Sequence, residues 1–326
     1  MAHELTIRLD GKAEMAYVGE TPWHGLGQQL DPNAGIDDWR KAAGLDWSIQ
    51  RSSVLYKQPN ESAVSTFTGQ EVLFRSDNGE PLSIVSERYH EVQPAQVLEF
   101  FRDLVDTQGY KLHTAGTLKG GRRIWALAET NKAAEITPDD RIGGFLLLAT
   151  SCDRGMATSA RFTSIRVVCA NTLAIAEREM ANSIFVRHNT KFDATKVKDE
   201  LGVQVSQWER FIGDARYLAT KECYGTKPDQ YLKALFEPTS YRFKTDANFK
   251  IEDSRAYKSV LDLFHGAGMG SQLNGSRGTY WGMVNAVTEF IDHHSFKRSA
   301  DARLNEAWFG TGDKLKTRAL ELALSA

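Results

Sequence analysis

The chain has 326 residues, enough for a large core and more than one domain. Its 41% hydrophobic and 25% charged residues exclude a disordered or fibrous polymer, and 40 Lys+Arg against 42 Asp+Glu, a formal charge of −2, exclude a polycation that would bind nucleic acid by bulk charge. The signs are unevenly spread: residues 1–107 carry about 9 basic and 17 acidic side chains, so an acidic front of roughly −8 precedes a remainder of roughly +6.

Residues 1–30 read as irregular, with Thr21–Gly27 (TPWHGLG) a compact aromatic loop. A short helix is predicted at Asp37–Ala43, then strands at Trp47–Tyr56 and Glu71–Arg75, a turn at Asp77–Pro81 (DNGEP) and a returning strand at Leu82–Val85. Val97, Phe100, Phe101 and Leu104 recur at helical spacing, which predicts a helix over Pro94–Val105. Four strands follow. Tyr110–Thr117 and Arg122–Glu129 flank the hairpin signal Leu118–Gly121 (LKGG), Gly144–Ser151 is continuously apolar as in a central strand, and Thr158–Cys169 is the fourth. A helix is expected at Asn171–Met180, with Asn171 or Thr172 as its cap.

From about Lys196 the pattern is helical: Val203–Tyr217, Pro228–Phe236, Arg255–Phe264, Tyr280–His293 and Asp313–Leu324, with Trp281, Val284, Thr288 and Ile291 as one apolar stripe and a Gly-rich loop at Gly266–Gly278. The expected fold class is therefore α+β: a central antiparallel sheet in the order helix, four strands, helix, with a helical C-terminal part. Three regions are expected, an N-terminal α+β region at 1–93, the sheet core at 94–195 and the helical region at 196–326.

Cys152, Cys169 and Cys223 are sparse and form no CxxC pair, which points to a reducing, cytoplasmic setting. No basic n-region with an apolar stretch opens the chain, and no apolar run approaches a bilayer span, so no membrane partner is expected. No His or Cys spacing matches a metal site. The Gly-rich loop lacks Gly-Lys-Ser/Thr and follows a helix, so it is not a P-loop. Cys169 reads as a buried thiol, and the paired aspartates read as caps and turns. No catalytic residue, metal or other cofactor is therefore assigned.

The basic residues carry the functional reading. Lys119, Arg122 and Arg123 surround the hairpin; Arg154, Arg161 and Arg166 lie on or beside the later strands; Arg187 and Lys191 follow. Together they are expected to bind the phosphates of single-stranded DNA, with Trp125 or Phe162 stacking bases and Asn171 and Thr172 contacting ligand at a strand-to-helix corner. A chain of charge −2 would do this as a homo-oligomer, a ring or filament whose grooves join.

Met15–Gly27 (MAYVGETPWHGLG), Arg166–Leu173 (RVVCANTL), Thr279–His293 (TYWGMVNAVTEFIDH) and Phe309–Asp313 (FGTGD) resemble the phage/plasmid-like domain-of-unknown-function family over nearly the whole chain. The resemblance implies a gene carried by phages and plasmids and brings no settled activity; Pro22, Trp23, His24, Gly25, Arg166, Cys169, Asn171, Thr172, Trp281, Asn285 and Ala286 transfer as signature positions only. The element order is also similar to the core of phage single-strand annealing proteins. These resemblances make strand annealing in replication or recombination the leading expectation. A nucleotide- or nucleic-acid-processing enzyme, and a counter-defence protein binding a host factor through the Trp23–His24 loop, are the alternatives.

Overall fold

The computed structural model describes residues 6–8, 10–19, 26–59, 63–166, 171–174, 183–202, 205–295 and 306–326. The described chain is α+β and divides into two compact units. The first comprises residues 1–131, 146–161 and 183–202, the second residues 132–145, 162–182 and 203–326.

The first unit holds β1 (Met15–Tyr17), β2 (Gln28–Gln29), α1 (Ile36–Ala42), β3 (Ile49–Lys57), β4 (Val64–Arg75), β5 (Pro81–Ser86), α2 (Pro94–Gln108), β6 (Lys111–Leu118), β11 (Ser183–Val186) and α3 (Ala194–Gly202). β7 (Arg123–Thr137), β8 (Asp140–Ser151) and β9 (Thr158–Arg166) contribute residues to both units. Sheet order is β10–β9–β8–β7–β6–β1–β2, where β10 is Asn171–Ala174, and β11 also pairs with β9. β3, β4 and β5 form a separate antiparallel sheet.

Helix α2 starts where the sequence places it. Pro94 stands in its first turn, Gln93 and Gln96 cap each other's backbone, and Gly109 ends the helix at φ +68°. Its apolar face, Val97, Leu98, Phe100, Phe101 and Leu104, is buried. β8 is buried at every position but Arg141, the pattern of a strand covered on both faces.

The sheet is mixed and larger than the four antiparallel strands expected, because β1 pairs antiparallel with β6 on one side and parallel with β2 on the other. Those short strands lie in a stretch read as irregular; two or three residues are too few to show alternation.

A second correction concerns Asn171 and Thr172. Neither caps a helix: Asn171–Ala174 is strand β10, antiparallel to β9 with Asn171 opposite Arg166 and Thr172 opposite Ile165. Thr172 is β-branched and suits a strand although Asn171 does not, and ladder pairing to β9 is a non-local gain that local propensity cannot register. The remainder of the expected helix, 175–180, lies outside the described residues, as do Cys169 and the Pro22–Gly25 part of the aromatic loop.

In the second unit, α4 (Val205–Thr220), α5 (Lys227–Phe236), α6 (Tyr241–Thr245), α7 (Arg255–Asp262), α8 (Tyr280–Glu289) and α9 (Thr311–Ser325) accompany β10. α8 is buried at all of its positions. The single apolar stripe expected for it is thus a fully enclosed helix, packed by α4, α7, α9 and β10. Three of its buried polar side chains donate hydrogen bonds: Trp281 Nε1 to Asp140 Oδ2 at 2.9 Å, Asn285 Nδ2 to the Trp281 carbonyl at 2.8 Å, and Thr288 Oγ1 to the Val284 carbonyl at 2.9 Å. α7 and α8 each continue into a π-helical turn, at Leu263–Ala267 and Phe290–His294, and the second places Asp292 on the buried ammonium of Lys316 at 2.5 Å.

Candidate nucleic-acid interface

Four chain segments converge at one end of the first unit's sheet. The β6–β7 turn (119–122) and the β8–β9 turn (152–157) are joined by Cys152 N donating to the Arg122 carbonyl at 3.0 Å. β5 and the loop that follows it join them, through Ser83 Oγ of the strand on the Cys152 carbonyl and Tyr89 OH of the loop on the Ser151 carbonyl at 2.8 Å. The segment after β11 completes the group. His188 stacks on Tyr89 with ring centroids 4.5 Å apart, and its two ring nitrogens stand 3.0 Å from the His90 carbonyl and 3.1 Å from the Met156 carbonyl.

This convergence gathers Lys119, Arg122, Arg154 and Arg187, four of the cations singled out in the sequence. Arg122, Arg154 and Arg187 are exposed and Lys119 is half-buried. Arg122 is aimed by its Nε, which donates to the Leu82 carbonyl at 3.0 Å. A turn closed by Thr190 N on the Arg187 carbonyl carries the chain on to exposed Lys191. Arg88 and His90, both exposed, stand on the β5–α2 loop and were not singled out. Their mark in the sequence is only a place between a strand and a helix, in the run Glu87–His90 (ERYH), where Glu87 and Arg88 cancel in formal charge.

Lys119 and Arg154 have φ of +57° and +61°, the left-handed region that favours glycine, and among the described residues they are the two non-glycine positions there. Each turn therefore holds a cation where glycine or asparagine would be the cheaper choice.

The ground beneath the β6–β7 turn is rigid. Gly121, at φ +91°, lies so close to Trp47 that a Cβ there would meet the indole at 2.8 Å. Trp47 carries the Arg75 guanidinium 4.2 Å above its ring, and Arg75 is only 2% exposed, bonded to Glu14 at 2.6 and 3.0 Å and to Asp77 at 2.7 and 2.9 Å. Burial disfavours the charged Arg75, but the bonds to Asp77 and Glu14 outweigh it and keep the guanidinium ionised.

The acids on the segments that carry these cations are Glu87, Glu91 and Asp153. Asp153 accepts from Gly155 N at 2.8 Å within its own turn. Glu91 is held by Arg51, which also bonds Glu71 and the Tyr89 carbonyl. Burial pushes the Glu91 carboxyl upward, and the Arg51 hydrogen bond and charge overcome that and hold it below the usual carboxylate range. Cys152 is buried, with its thiol pushed up to about 12 by burial and then by Asp153, and it is no nucleophile at neutral pH.

The remaining sequence-selected residues lie elsewhere. Arg123 opens β7 half-buried, and Arg161 sits inside β9, half-buried, opposite Ser183. Trp125 is completely buried and has no ring face to offer a base. Phe162, Arg166, Asn171 and Thr172 belong to the second unit. Among the described residues no group of three or more His, Cys, Asp or Glu side chains forms a metal cage, and no helix is long and apolar enough to cross a membrane.

A family model described as a domain of unknown function (DUF932) matches residues 81–308. The chain belongs to this family. The matched stretch opens at β5, and so takes in all four segments of the cationic end; it excludes β1 and Glu14 beneath it. Neither a curated protein nor a solved structure matches the chain.

Proposed function

We propose that the chain binds single-stranded DNA at the cationic end of the first unit, and that it serves strand annealing in the replication or recombination of phage or plasmid DNA. The observation that carries the reading is the pair of basic residues, Lys119 and Arg154, kept at positive φ in two turns bonded to one another through Arg122 and Cys152. Backbone preference opposes a side chain at those positions, so their charge needs another reason. Arg122, Arg187 and Arg88 extend the same surface. The chemistry is non-catalytic: guanidinium and ammonium groups neutralise phosphates and leave base edges open to a second strand.

The test is binding of a labelled oligothymidylate by the intact chain and by an Arg122→Ala/Arg154→Ala/Arg187→Ala variant, each over a series of salt concentrations. The variant is expected to bind at least tenfold more weakly at low salt, and the slope of log K against log salt should flatten by about 2, at roughly 0.7 per lost phosphate contact. A folded variant with the affinity and slope of the parent would refute the assignment.

A further inference from the structure

Trp125, expected to stack bases, is core at the cationic end, and the second unit presents exposed tyrosines, among them a pair beside the Gly-rich loop. Tyr217, near the end of α4, is 51% exposed, and Tyr224, in the loop before α5, is 57% exposed. Tyr224 is set on a fixed support. The 221–224 segment runs beside the end of the Gly-rich loop: Cys223 N donates to the Gly278 carbonyl at 2.8 Å, Tyr280 N donates to the Lys221 carbonyl at 2.9 Å, and Glu222 and Thr279 form a β-bridge.

Gly278, at φ +64°, exists in a form only glycine fits. A Cβ there would lie 2.1 Å from Cε1 and Cζ of Tyr224, so the ring rests directly on the Gly278 backbone, and the Tyr224 hydroxyl donates to the Arg277 carbonyl at 3.4 Å. The loop is itself pinned. Thr279 Oγ1 donates to the Gly275 carbonyl at 2.7 Å and accepts from Gly282 N at 3.1 Å, where it caps α8.

Cations frame the rings. Lys221 Nζ stands 5.1 Å from the Tyr217 ring centroid and 5.7 Å from that of Tyr280. Lys227 Nζ donates to the Glu222 carbonyl at 3.2 Å, and Arg277 is exposed beside Tyr224. Among the described residues none of Lys221, Lys227 or Arg277 is in an ion pair, and Glu222 is the sole acid between Arg216 and Lys227.

We propose that Tyr217 and Tyr224 form a base-stacking platform for unpaired nucleotides, with Lys221, Lys227 and Arg277 on the flanking phosphates. The inference rests on the single-strand reading above and gives unpaired bases a place in the second unit. Exposed rings, with Tyr224 held from behind by Gly278 and unpaired cations beside them, match a ligand that alternates flat π-faces with phosphates. A rigid ring loses little freedom when a base covers it, which is why Gly278 matters to the argument.

The test compares the full chain with Tyr217→Ala/Tyr224→Ala and Tyr217→Phe/Tyr224→Phe variants. The probe is an oligothymidylate of about 20 nucleotides, plain for anisotropy and bearing 5-iodouracil for photocrosslinking. The alanine pair should bind about 10- to 100-fold more weakly with an unchanged salt slope, since stacking releases no counterions. The phenylalanine pair should bind within about twofold of the parent, and crosslinks should fall on peptides carrying 217 or 224. Parental affinity in the alanine pair, with crosslinks elsewhere, would overturn the platform while leaving the first unit's cationic end in place. A changed sedimentation profile with parental DNA affinity would likewise overturn it and assign the tyrosines to contact between copies. A parent chain that fails to bind the probe would remove the single-strand reading itself.

Discussion

Lys119 and Arg154 set charge against backbone. A non-glycine residue in the left-handed region costs about 1 kcal/mol. Lys119→Gly and Arg154→Gly should therefore raise unfolding free energy by a few tenths to about 1 kcal/mol each, while weakening single-strand binding. Urea unfolding and anisotropy on the same preparations give both readings, and a glycine variant that loses stability would show that the cations hold the turns by contacts of their own. The buried Arg75 responds in the opposite way. Glu14→Gln leaves its guanidinium short of one of two carboxylates in a site only 2% exposed, and a loss of about 3 kcal/mol is expected. Because Gly121 packs on Trp47 and Arg75, the same variant should loosen the β6–β7 turn, seen as faster amide exchange at 119–122. Glu91 sets the acid limit of this region. Its folded pKa lies below the unfolded value of about 4.3, so its pairing with Arg51 contributes fully above that value and is lost as pH falls through the folded pKa. Thermal melts between pH 3 and 6 should show the midpoint dropping at the acid end, and Arg51→Leu should flatten that drop.

At the scale of elements, the tightest helix approach is at Gly282 in the first turn of α8, where a Cβ would lie 1.9 Å from the Ser276 carbonyl oxygen. No rotamer relieves a Cβ, so Gly282→Ala must push α8 off the Gly-rich loop. A cost of about 3 kcal/mol or more is expected, read as a lower melting temperature or loss of soluble protein. The sequence carried α8 as an element but not its role, since its packing partners α4, α7, α9 and β10 come from distant segments that no window spans. The same division runs through the molecule. α2, with its proline, reciprocal glutamines and closing glycine, was legible at its start and to within three residues at its end, and β6–β9 were legible as strands from apolar runs and the LKGG turn, though β7 runs on to Thr137 and β8 begins at Asp140, beyond the expected 122–129 and 144–151. β1, β2 and β10 were not, because their only warrant is a partner strand. The site divides likewise. Lys119, Arg122, Arg154 and Arg187 were legible as cations near turns, but their convergence depends on hydrogen bonds such as His188 to Met156, 32 residues apart. Trp125 was misjudged as a stacking ring because an aromatic on a strand carries no local mark of which face is covered, whereas Tyr217 and Tyr224 sit at a helix end and in a loop, positions where rings stay in solvent.

For the whole molecule the governing fact is a charge of −2 on a chain that we assign to a polyanion. Long-range attraction is then weak, and affinity must come from short-range contact at the cationic end, within the screening length of about 8 Å at physiological salt. The four cations of the cationic end by themselves correspond to a salt slope of about −3 on a single strand, far shallower than that of a polycationic binder. Such a chain holds a strand firmly only when several copies engage it together, since each further contact on the same strand is made at high effective concentration. Annealing therefore predicts assembly. Light scattering of the intact chain should report a rise in mass on addition of an oligothymidylate long enough for several copies, and negative-stain images should show rings or filaments on it. The rise should track occupancy and vanish in the Arg122→Ala/Arg154→Ala/Arg187→Ala variant. A mass that stays monomeric with DNA bound would separate binding from annealing: single-strand binding would stand, and the joined-groove mechanism would be wrong.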